Sequence, residues 1–140
     1  MRQIIIMIER VTLKTKPDDI IDITDYVQNV VEKSGKKDGL AVVFVAHSTC
    51  AITTIEHEPG LLKDMPNALN KIAPKSADYE HNKTWGDGNG YSHIRASLIG
   101  PSLVIPFEGG RLCLGQWQQI VLMELDARPR EREIIIKISS

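Results

Sequence analysis

Apolar residues recur along the chain with two different periods, and these periods predict both strands and helices. Short runs rich in Ile, Val and Leu that end at Gly, Pro or Asp favour β-strands. The predicted strands cover residues 3–14, 40–46, 51–55, 102–107, 111–114, 120–126 and 133–139. The run from Leu40 to Ala46 is apolar throughout, so it predicts a strand that is buried on both faces.

A helical period follows the first predicted strand. Val27 and Val31 lie four positions apart, which places them on one face of a helix. Thr24 is a residue type that caps helix starts, and Gly35 is a residue type that ends helices. We therefore predict a first helix that begins near Asp25 and ends at Gly35.

A second helix is predicted from Leu61 to Ala73, where apolar residues again recur every three or four positions. Pro66 interrupts this pattern, and it either lies inside the helix or marks its first turn. Residues 74–92 show no period and contain three glycines. They are predicted to form one long irregular segment, a kind of loop that is often functional or mobile.

A hairpin is predicted near the end of the chain. The tripeptide Glu108-Gly109-Gly110 separates the strands at residues 102–107 and 111–114. Glycine adopts positive φ without a steric cost, which tight hairpin turns require. A polar string that includes His93 and Ser97 precedes the hairpin. A minimal structural hairpin does not need these groups, so the stretch is a candidate for a site.

These elements together predict the fold class. The chain has 140 residues, which fits one domain over residues 1–140. Strand-rich halves flank two main helices, so we expect a single compact α+β domain with a largely antiparallel sheet or sandwich. Neither a Gly-x-Gly-x-x-Gly pattern nor a Walker lysine pattern occurs, so nucleotide binding on a βαβ unit is not predicted.

Charge and composition exclude several classes of partner. The net charge is −1 and aromatic residues make up 5% of the chain, so neither a basic nucleic-acid surface nor a stacking platform is expected. No apolar run approaches the ~20 residues of a membrane span, and no signal peptide is recognisable. The two cysteines form no Cys-x-x-Cys motif. We therefore expect a cytoplasmic protein that binds neither nucleic acid nor membrane.

Three histidines and one carboxylate lie at predicted strand ends or loops. His47 ends one strand and Glu56 ends the next, so a hairpin of these strands would bring both to one edge of the sheet. His81 and His93 lie within and just after the long irregular segment. Imidazole suits zinc and carboxylate suits magnesium, so these groups could converge on a divalent metal or an anion. The alternative is that each histidine is an ordinary surface or hydrogen-bonded structural residue.

A second set of polar residues is a candidate for phosphate binding. Arg95, Ser97 and Ser102, with main-chain N–H groups around Gly100, supply the donors that phosphate oxygens accept. The same hydroxyls could instead satisfy strand ends and turns.

Several segments taken together resemble the YjbQ family, whose members are described as secondary thiamine-phosphate synthase enzymes. The resemblance runs from about residue 3 to residue 139, and Tyr91 stands where many members carry the first of two histidines. The segments are H-S-T-C-A-I-T at 47–53, Glu56, H-I-R-A-S-L-I-G-P-S-L-V-I-P at 93–106, G-R-L-C-L-G-Q-W-Q at 110–118 and E-L-D-A-R-P-R at 124–130.

The resemblance implies a compact α+β fold, a homotrimer with sites near subunit boundaries, and weak thiamine-phosphate synthase activity. This metal-dependent transferase reaction would join a hydroxymethylpyrimidine diphosphate to a thiazole phosphate and release pyrophosphate. His47, Glu56 and His93 would be the catalytic residues, and His47, His81 and His93 would hold a divalent ion, zinc or magnesium. Arg95, Ser97 and Ser102 would contact phosphate oxygens.

Three other functions stay open beside this enzyme, and one of them is a metal-dependent hydrolase. The chain could be a non-catalytic trimeric module that binds a metal or a small phosphorylated molecule. It could also be a structural trimer whose polar clefts bind nothing. An enzyme requires turnover that depends on a particular ion, whereas a binding module shows saturation without product.

Overall fold

Eight strands and four helices follow one another in residues 7–140, the part of the chain that the computed structural model describes. The strands are β1 Met7–Thr15, β2 Ile20–Asp22, β3 Gly39–Val45, β4 Cys50–Ile55, β5 Ser102–Glu108, β6 Arg111–Leu112, β7 Gln119–Glu124 and β8 Arg130–Ser139. The helices are α1 Thr24–Ser34, α2 Pro59–Ile72, α3 Glu80–Trp85 and α4 Gly90–Ile99. The start of the first predicted strand, residues 3–6, lies outside the described residues.

The strands form two antiparallel sheets. The five-stranded sheet has the order β1-β8-β3-β5-β6, and the three-stranded sheet has the order β2-β7-β4. One apolar core contains α1 and residues from both sheets, and a second core packs the three-stranded sheet against α2 and α4. The predicted α+β class with an antiparallel sandwich is therefore confirmed.

Helix α1 agrees with the prediction at its apolar face and at its end. Val27 and Val31 are buried, and Gly35 adopts the left-handed conformation at φ 66°. The predicted cap is wrong, because the N-cap residue is Ile23. The Thr24 hydroxyl accepts the Ile120 N–H at 2.9 Å instead, so it ties the start of α1 to β7.

Helix α2 begins earlier than predicted. Pro59 occupies its first turn, and the Glu58 carboxylate accepts the Gly60 N–H at 2.8 Å. Proline suits the first turn because its missing N–H would have no helical partner there. Pro66 lies inside α2 and does not mark its start.

The prediction that both faces of β3 are buried is wrong. Its side chains alternate, with Ala41 and Val43 buried while Leu40 and Phe44 are exposed, so only one face is fully covered. β3 also does not pair with β4 as a hairpin. It pairs with β5 and β8, and β4 pairs with β7 in the other sheet.

Residues 74–92 are not one irregular segment, because they contain α3 and the start of α4. α3 has only six residues and no buried side chain, so it has no apolar face for a pattern to reveal. The predicted hairpin is confirmed, although β6 is shorter than expected. Gly109 and Gly110 adopt φ of 58° and 74°, as a tight hairpin turn requires. No helix in residues 7–140 is long and apolar enough to cross a membrane.

Candidate functional site

An open polar cleft lies where the loop after β3, the start of β8 and the start of α4 meet. Its volume is about 380 Å³. We call it the polar cleft, and it is lined by Ala46, His47, Ser48, Thr49, Asn89, His93, Asp126, Arg130 and Arg132. An adjoining recess of about 190 Å³ shares His47, Ser48 and His93 and extends to Ser97 on α4. The cleft thus collects groups from three separate parts of the chain, residues 46–49, 89–93 and 126–132.

A buried ion pair forms the floor of the polar cleft. Arg132 donates through Nε and Nη2 to the two carboxylate oxygens of Glu124, at 2.7 and 2.6 Å. It also donates to the Thr49 hydroxyl at 2.8 Å. Burial lowers the pKa of Arg132, but the hydrogen bond and charge of Glu124 outweigh it and raise the pKa overall. Since both partners are buried, each depends on the other to remain charged.

A second acidic residue, Asp126, holds Arg130 at the rim of the polar cleft. Asp126 Oδ2 accepts from Arg130 Nε at 2.8 Å and from the Thr49 hydroxyl at 3.1 Å, and Asn89 Nδ2 donates to Asp126 Oδ1 at 3.3 Å. Burial raises the pKa of Asp126, but the Ala127 N–H, Asn89 and Arg130 outweigh it, so the pKa lies below its ordinary value. The ionised Asp126 therefore orients the guanidinium of Arg130, whose side chain remains 39% exposed.

His47 is fixed by the backbone of β8. Its Nε2 accepts the Glu133 N–H at 3.1 Å. Burial lowers the pKa of His47, and the charge of Arg132 lowers it further, so the ring is neutral at pH 7. A neutral ring that accepts at Nε2 carries its proton on Nδ1, so it offers one N–H donor.

His81 and His93 lie side by side, on α3 and α4. Their ring centroids are 4.4 Å apart and the planes are inclined at 45°. His81 Nδ1 lies 3.7 Å from Asp87 Oδ1, and this buried atom has no hydrogen-bond partner among residues 7–140. Within the same residues, no three His, Cys, Asp or Glu side chains gather as a metal site. The pair therefore offers two imidazoles, and one of them has an unsatisfied nitrogen.

The structure brings together some of the predicted site residues and separates the others. His47 and His93 line the polar cleft, and the Ser97 hydroxyl donates to the His93 carbonyl at 2.7 Å beside it. Glu56 follows the far end of the six-residue strand β4, on the order of 20 Å of extended chain from the end near His47. Ser102 is exposed at the start of β5 and is not among the residues that line the polar cleft.

Arg95 also lies outside the polar cleft. It is on α4, two residues after His93, and residues two apart on a helix point about 200° apart. Its Nε donates to the Ala73 carbonyl at 3.0 Å, on the α2 side of the molecule.

The charged half of the polar cleft was not predicted from the sequence. Glu124, Asp126, Arg130 and Arg132 were not predicted as site residues, although all four lie within one short stretch. Arg130 and Arg132 lie two apart on β8 and therefore share a face, which was a usable signal for these two, whereas the bend between β7 and β8 separates them from Glu124 and Asp126. Nothing in the sequence alone indicated that His47 would lie next to these residues.

Comparison with known proteins agrees with this fold. The family described as UPF0047 protein YjbQ-like matches residues 9–140. The chain belongs to the YjbQ/UPF0047 family. A UPF0047 protein of Archaeoglobus fulgidus is 43% identical over 127 residues, which are 90% of this chain and 96% of that protein. The UPF0047 protein YugU of Bacillus subtilis is 34% identical over 134 residues, which are 94% and 98% of the two chains.

Solved structures of YjbQ/UPF0047 proteins have the same architecture. One is a crystal structure of an uncharacterised conserved protein from Clostridium acetobutylicum, with a TM-score of 0.86, 43% identity, and coverage of 94% of this chain and 99% of that chain. Another is a YbjQ-like protein of unknown function from Sulfolobus solfataricus, with a TM-score of 0.85, 37% identity, and coverage of 95% and 97%. The resemblance to the YjbQ family that the sequence segments indicated is thus confirmed.

Proposed function

We propose that the polar cleft binds a small phosphorylated molecule. The observation that carries this proposal is the guanidinium of Arg130, which is held at the rim by Asp126 at 2.7 and 2.8 Å while part of it faces solvent. A guanidinium presents a planar fork of N–H donors that matches phosphate oxygens. His47 and Ser48 line the same cleft, and their Nδ1–H and hydroxyl groups are the further donors that the proposal assigns to the ligand.

The two arginines would have different parts in this site. Arg132 directs Nε and Nη2 to Glu124 and Thr49, so its part is to hold the floor of the cleft in place. Arg130 uses one edge of its guanidinium on Asp126 and has N–H groups left for a ligand. Arg130 is therefore the proposed phosphate contact.

We extend the proposal to a weak thiamine-phosphate synthase reaction as a side activity. The thiazole ring nitrogen would bond to the methylene carbon of the hydroxymethylpyrimidine diphosphate. The bond from that carbon to the diphosphate oxygen would break, and its electron pair would leave with pyrophosphate. Arg130 and the His47 N–H would stabilise the negative charge that develops on the leaving group. Glu56 lies outside the polar cleft and has no part in this step.

A divalent ion, zinc or magnesium, belongs to the proposal as a group held by His81 and His93. The unsatisfied Nδ1 of His81 supports this, because buried polar atoms normally have a partner. His47 fits less well as a third ligand, since its Nε2 lone pair already accepts the Glu133 N–H. When bound, the ion would add positive charge beside the phosphate oxygens.

We also propose that the protein is a homotrimer that associates through the outer face of the five-stranded sheet. Leu40 and Phe44 are exposed on this face of β3, and Val104 of β5 lies opposite Val42 on it. Exposed apolar clusters of this kind mark association surfaces. His47 lies two residues after the end of β3, so association there would place the polar cleft near a subunit boundary.

A non-catalytic binding module is the second candidate function. It is favoured by the charge balance of the cleft, where Arg130 and Arg132 are matched by Asp126 and Glu124. A site whose charges are already paired can hold a ligand without accelerating a reaction on it.

The test combines binding and turnover. Inorganic pyrophosphate would be titrated by calorimetry, and thiamine phosphate would be measured after incubation with the two substrates and magnesium or zinc. Replacing Arg130→Gln should weaken pyrophosphate binding about tenfold and lower turnover on the order of 100-fold. Arg128→Gln removes an exposed neighbouring charge and should change neither quantity.

The outcomes separate the candidates. Turnover that chelator abolishes and that Arg130→Gln reduces would support the synthase. Binding that depends on Arg130, with no product under any ion, would support the binding module. Pyrophosphate affinity that is equal in the wild type, Arg130→Gln and Arg128→Gln would refute both.

A further inference from the structure

We infer that the protein has a second oxyanion site, separate from the polar cleft, between α2 and α4. It is a cleft of about 210 Å³, much larger than the roughly 10–15 Å³ that one water molecule needs. We call it the Arg95 cleft, and it is lined by Asp18, Pro66, Asn67, Asn70, Lys75 and Arg95. This inference does not depend on the proposed function of the polar cleft.

The central observation is a buried cation without an ionic partner. Arg95 is 1% exposed, and no carboxylate oxygen of residues 7–140 lies within 4.0 Å of its guanidinium. Its contacts are to neutral groups, namely the Ala73 carbonyl at 3.0 Å, the Asn70 Oδ1 at 3.4 Å and the ring of Tyr91 at 5.0 Å. Buried charges are normally paired, so this arrangement leaves the guanidinium in need of an anion.

A second cation stands at the mouth of the Arg95 cleft. Lys75 Nζ lies 2.6 Å from Asp18 Oδ2 and 5.8 Å from the ring of Tyr91, which it shares with Arg95. Both partners of this ion pair are more than 40% exposed, so the pair is weak and Lys75 can turn toward a ligand. The two cations and one carboxylate of the Arg95 cleft leave a net positive charge.

Two further acidic residues line a small enclosed space behind Arg95, but their carboxylates are engaged elsewhere. Asp19 Oδ2 accepts the Lys16 N–H at 2.7 Å, and Glu124 is bound by Arg132 at 2.6 and 2.7 Å. Neither neutralises Arg95 by direct contact. An oxyanion in the open cleft would therefore face Arg95 and Lys75, with the side-chain amides of Asn67 and Asn70 beside it.

The chemistry favours phosphate over a carboxylate. A guanidinium fork together with an ammonium group suits a tetrahedral anion, which has oxygens on several sides. The site is also independent of the polar cleft, because Arg95 and His93 point about 200° apart around α4. We therefore expect inorganic phosphate, or the phosphoryl end of a small phosphate ester, to bind here.

The test is a titration of the intact protein with inorganic phosphate, followed by backbone amide NMR shifts at constant ionic strength. Phosphate should shift the amides of residues 67–75 with a single dissociation constant. Lys75→Ala should raise that dissociation constant about tenfold, and Asn70→Ala should raise it roughly a few fold. Lys75 and Asn70 are both exposed, so these two variants test the site without removing the buried Arg95 side chain.

Two controls distinguish this site from general charge effects and from the polar cleft. Lys71→Ala removes an exposed charge from the same helix, and Arg130→Gln alters the polar cleft, so neither should change the shifts at residues 67–75. The inference is overturned if Lys75→Ala and Asn70→Ala bind phosphate as the wild type does. It is also overturned if Arg130→Gln abolishes the same shifts, or if acetate binds there as tightly as phosphate.

Discussion

At the scale of single residues, one backbone hydrogen bond sets the chemical form of His47. Because Glu133 N–H donates to Nε2, the neutral ring keeps its proton on Nδ1 and presents it as a donor. Protonation of the ring would place a hydrogen on Nε2, which could then no longer accept the hydrogen bond from the Glu133 N–H. The positive charge of Arg132 acts in the same direction as burial, and both disfavour the charged ring.

The first prediction concerns pH. The pKa of His47 should lie below its ordinary value of 6.5, as measured by NMR titration of the ring. Because the folded pKa is the lower one, the unfolded chain binds more protons below pH 6.5, so the free energy of unfolding should fall as pH drops through that range. The contribution of His47 to the free energy of unfolding is fully present at pH values above the pKa that the ring has in the unfolded chain.

The variant His47→Gln isolates this effect. Glutamine can still accept the Glu133 N–H but does not titrate, so its urea-unfolding free energy should fall less between pH 7.5 and 5.5 than that of the wild type. Equal slopes in the two proteins, or a ring midpoint above 6.5, would contradict the assignment.

At the scale of elements, the position of α4 depends on a close approach at its first residue. A Cβ added to Gly90 would lie 2.5 Å from the Tyr79 Cβ, closer than real contacts allow. Tyr79 cannot easily yield, because its hydroxyl donates to the Pro74 carbonyl at 2.7 Å. The Gly90 N–H donates to Asn82 Oδ1 at 2.9 Å, so α3 and α4 meet at this point.

The second prediction follows from that contact. Gly90→Ala should destabilise the protein by about 1–3 kcal/mol, because the added methyl group forces α4 away from Tyr79. It should also weaken pyrophosphate binding in the polar cleft, since His93 moves with α4. Urea unfolding and calorimetry measure the two effects.

Gly115→Ala is the matched control for the close approach. The nearest atom to its added Cβ is the flexible end of Gln118, at 3.1 Å, so the chain can adjust. If Gly90→Ala were as stable as this control and bound pyrophosphate equally, the close approach would not position α4.

At the scale of the whole molecule, the five-stranded sheet has one face in the core and one face that is partly apolar and exposed. Ile8 and Val42 both lie opposite Lys137 across the strands, and Val104 lies opposite Val42, so these residues share the outer face. Val104 is 59% exposed. The proposed trimer would remove this apolar area from water.

The third prediction tests that interface. The wild type should sediment as a trimer at micromolar concentration, and Val104→Lys should sediment as a monomer with an unchanged circular dichroism spectrum. Ile72→Lys changes an equally exposed apolar residue on α2 and should remain trimeric. A monomeric wild type, or a trimeric Val104→Lys, would refute association through this face.

Much of the local structure could be predicted from the sequence, because the features involved are local. The four-residue spacing of Val27 and Val31 and the positive φ of Gly35 depend on neighbours along the chain, and so does the turn at Gly109 and Gly110. α3 could not be predicted in this way, because its six residues bury nothing and carry no periodic signal.

The family and the α+β class were likewise determined by the sequence alone, through its ordered segments and alternating strands. Which strands pair was decided only in the tertiary structure, since β4 lies next to β7 and not next to β3. That choice depends on burying both faces of the three-stranded sheet, which is a property of distant segments together.

The candidate site follows the same division. The sequence identified His47 and His93 as candidate residues, but the partners Asp126, Arg130 and Arg132 lie more than 30 positions away from either. Only the pairing of β8 with β3 brings the arginines to His47, and only the helical form of α4 turns Arg95 away from it. Residue type and local spacing determine what each side chain can do, whereas long-range packing decides which side chains act together.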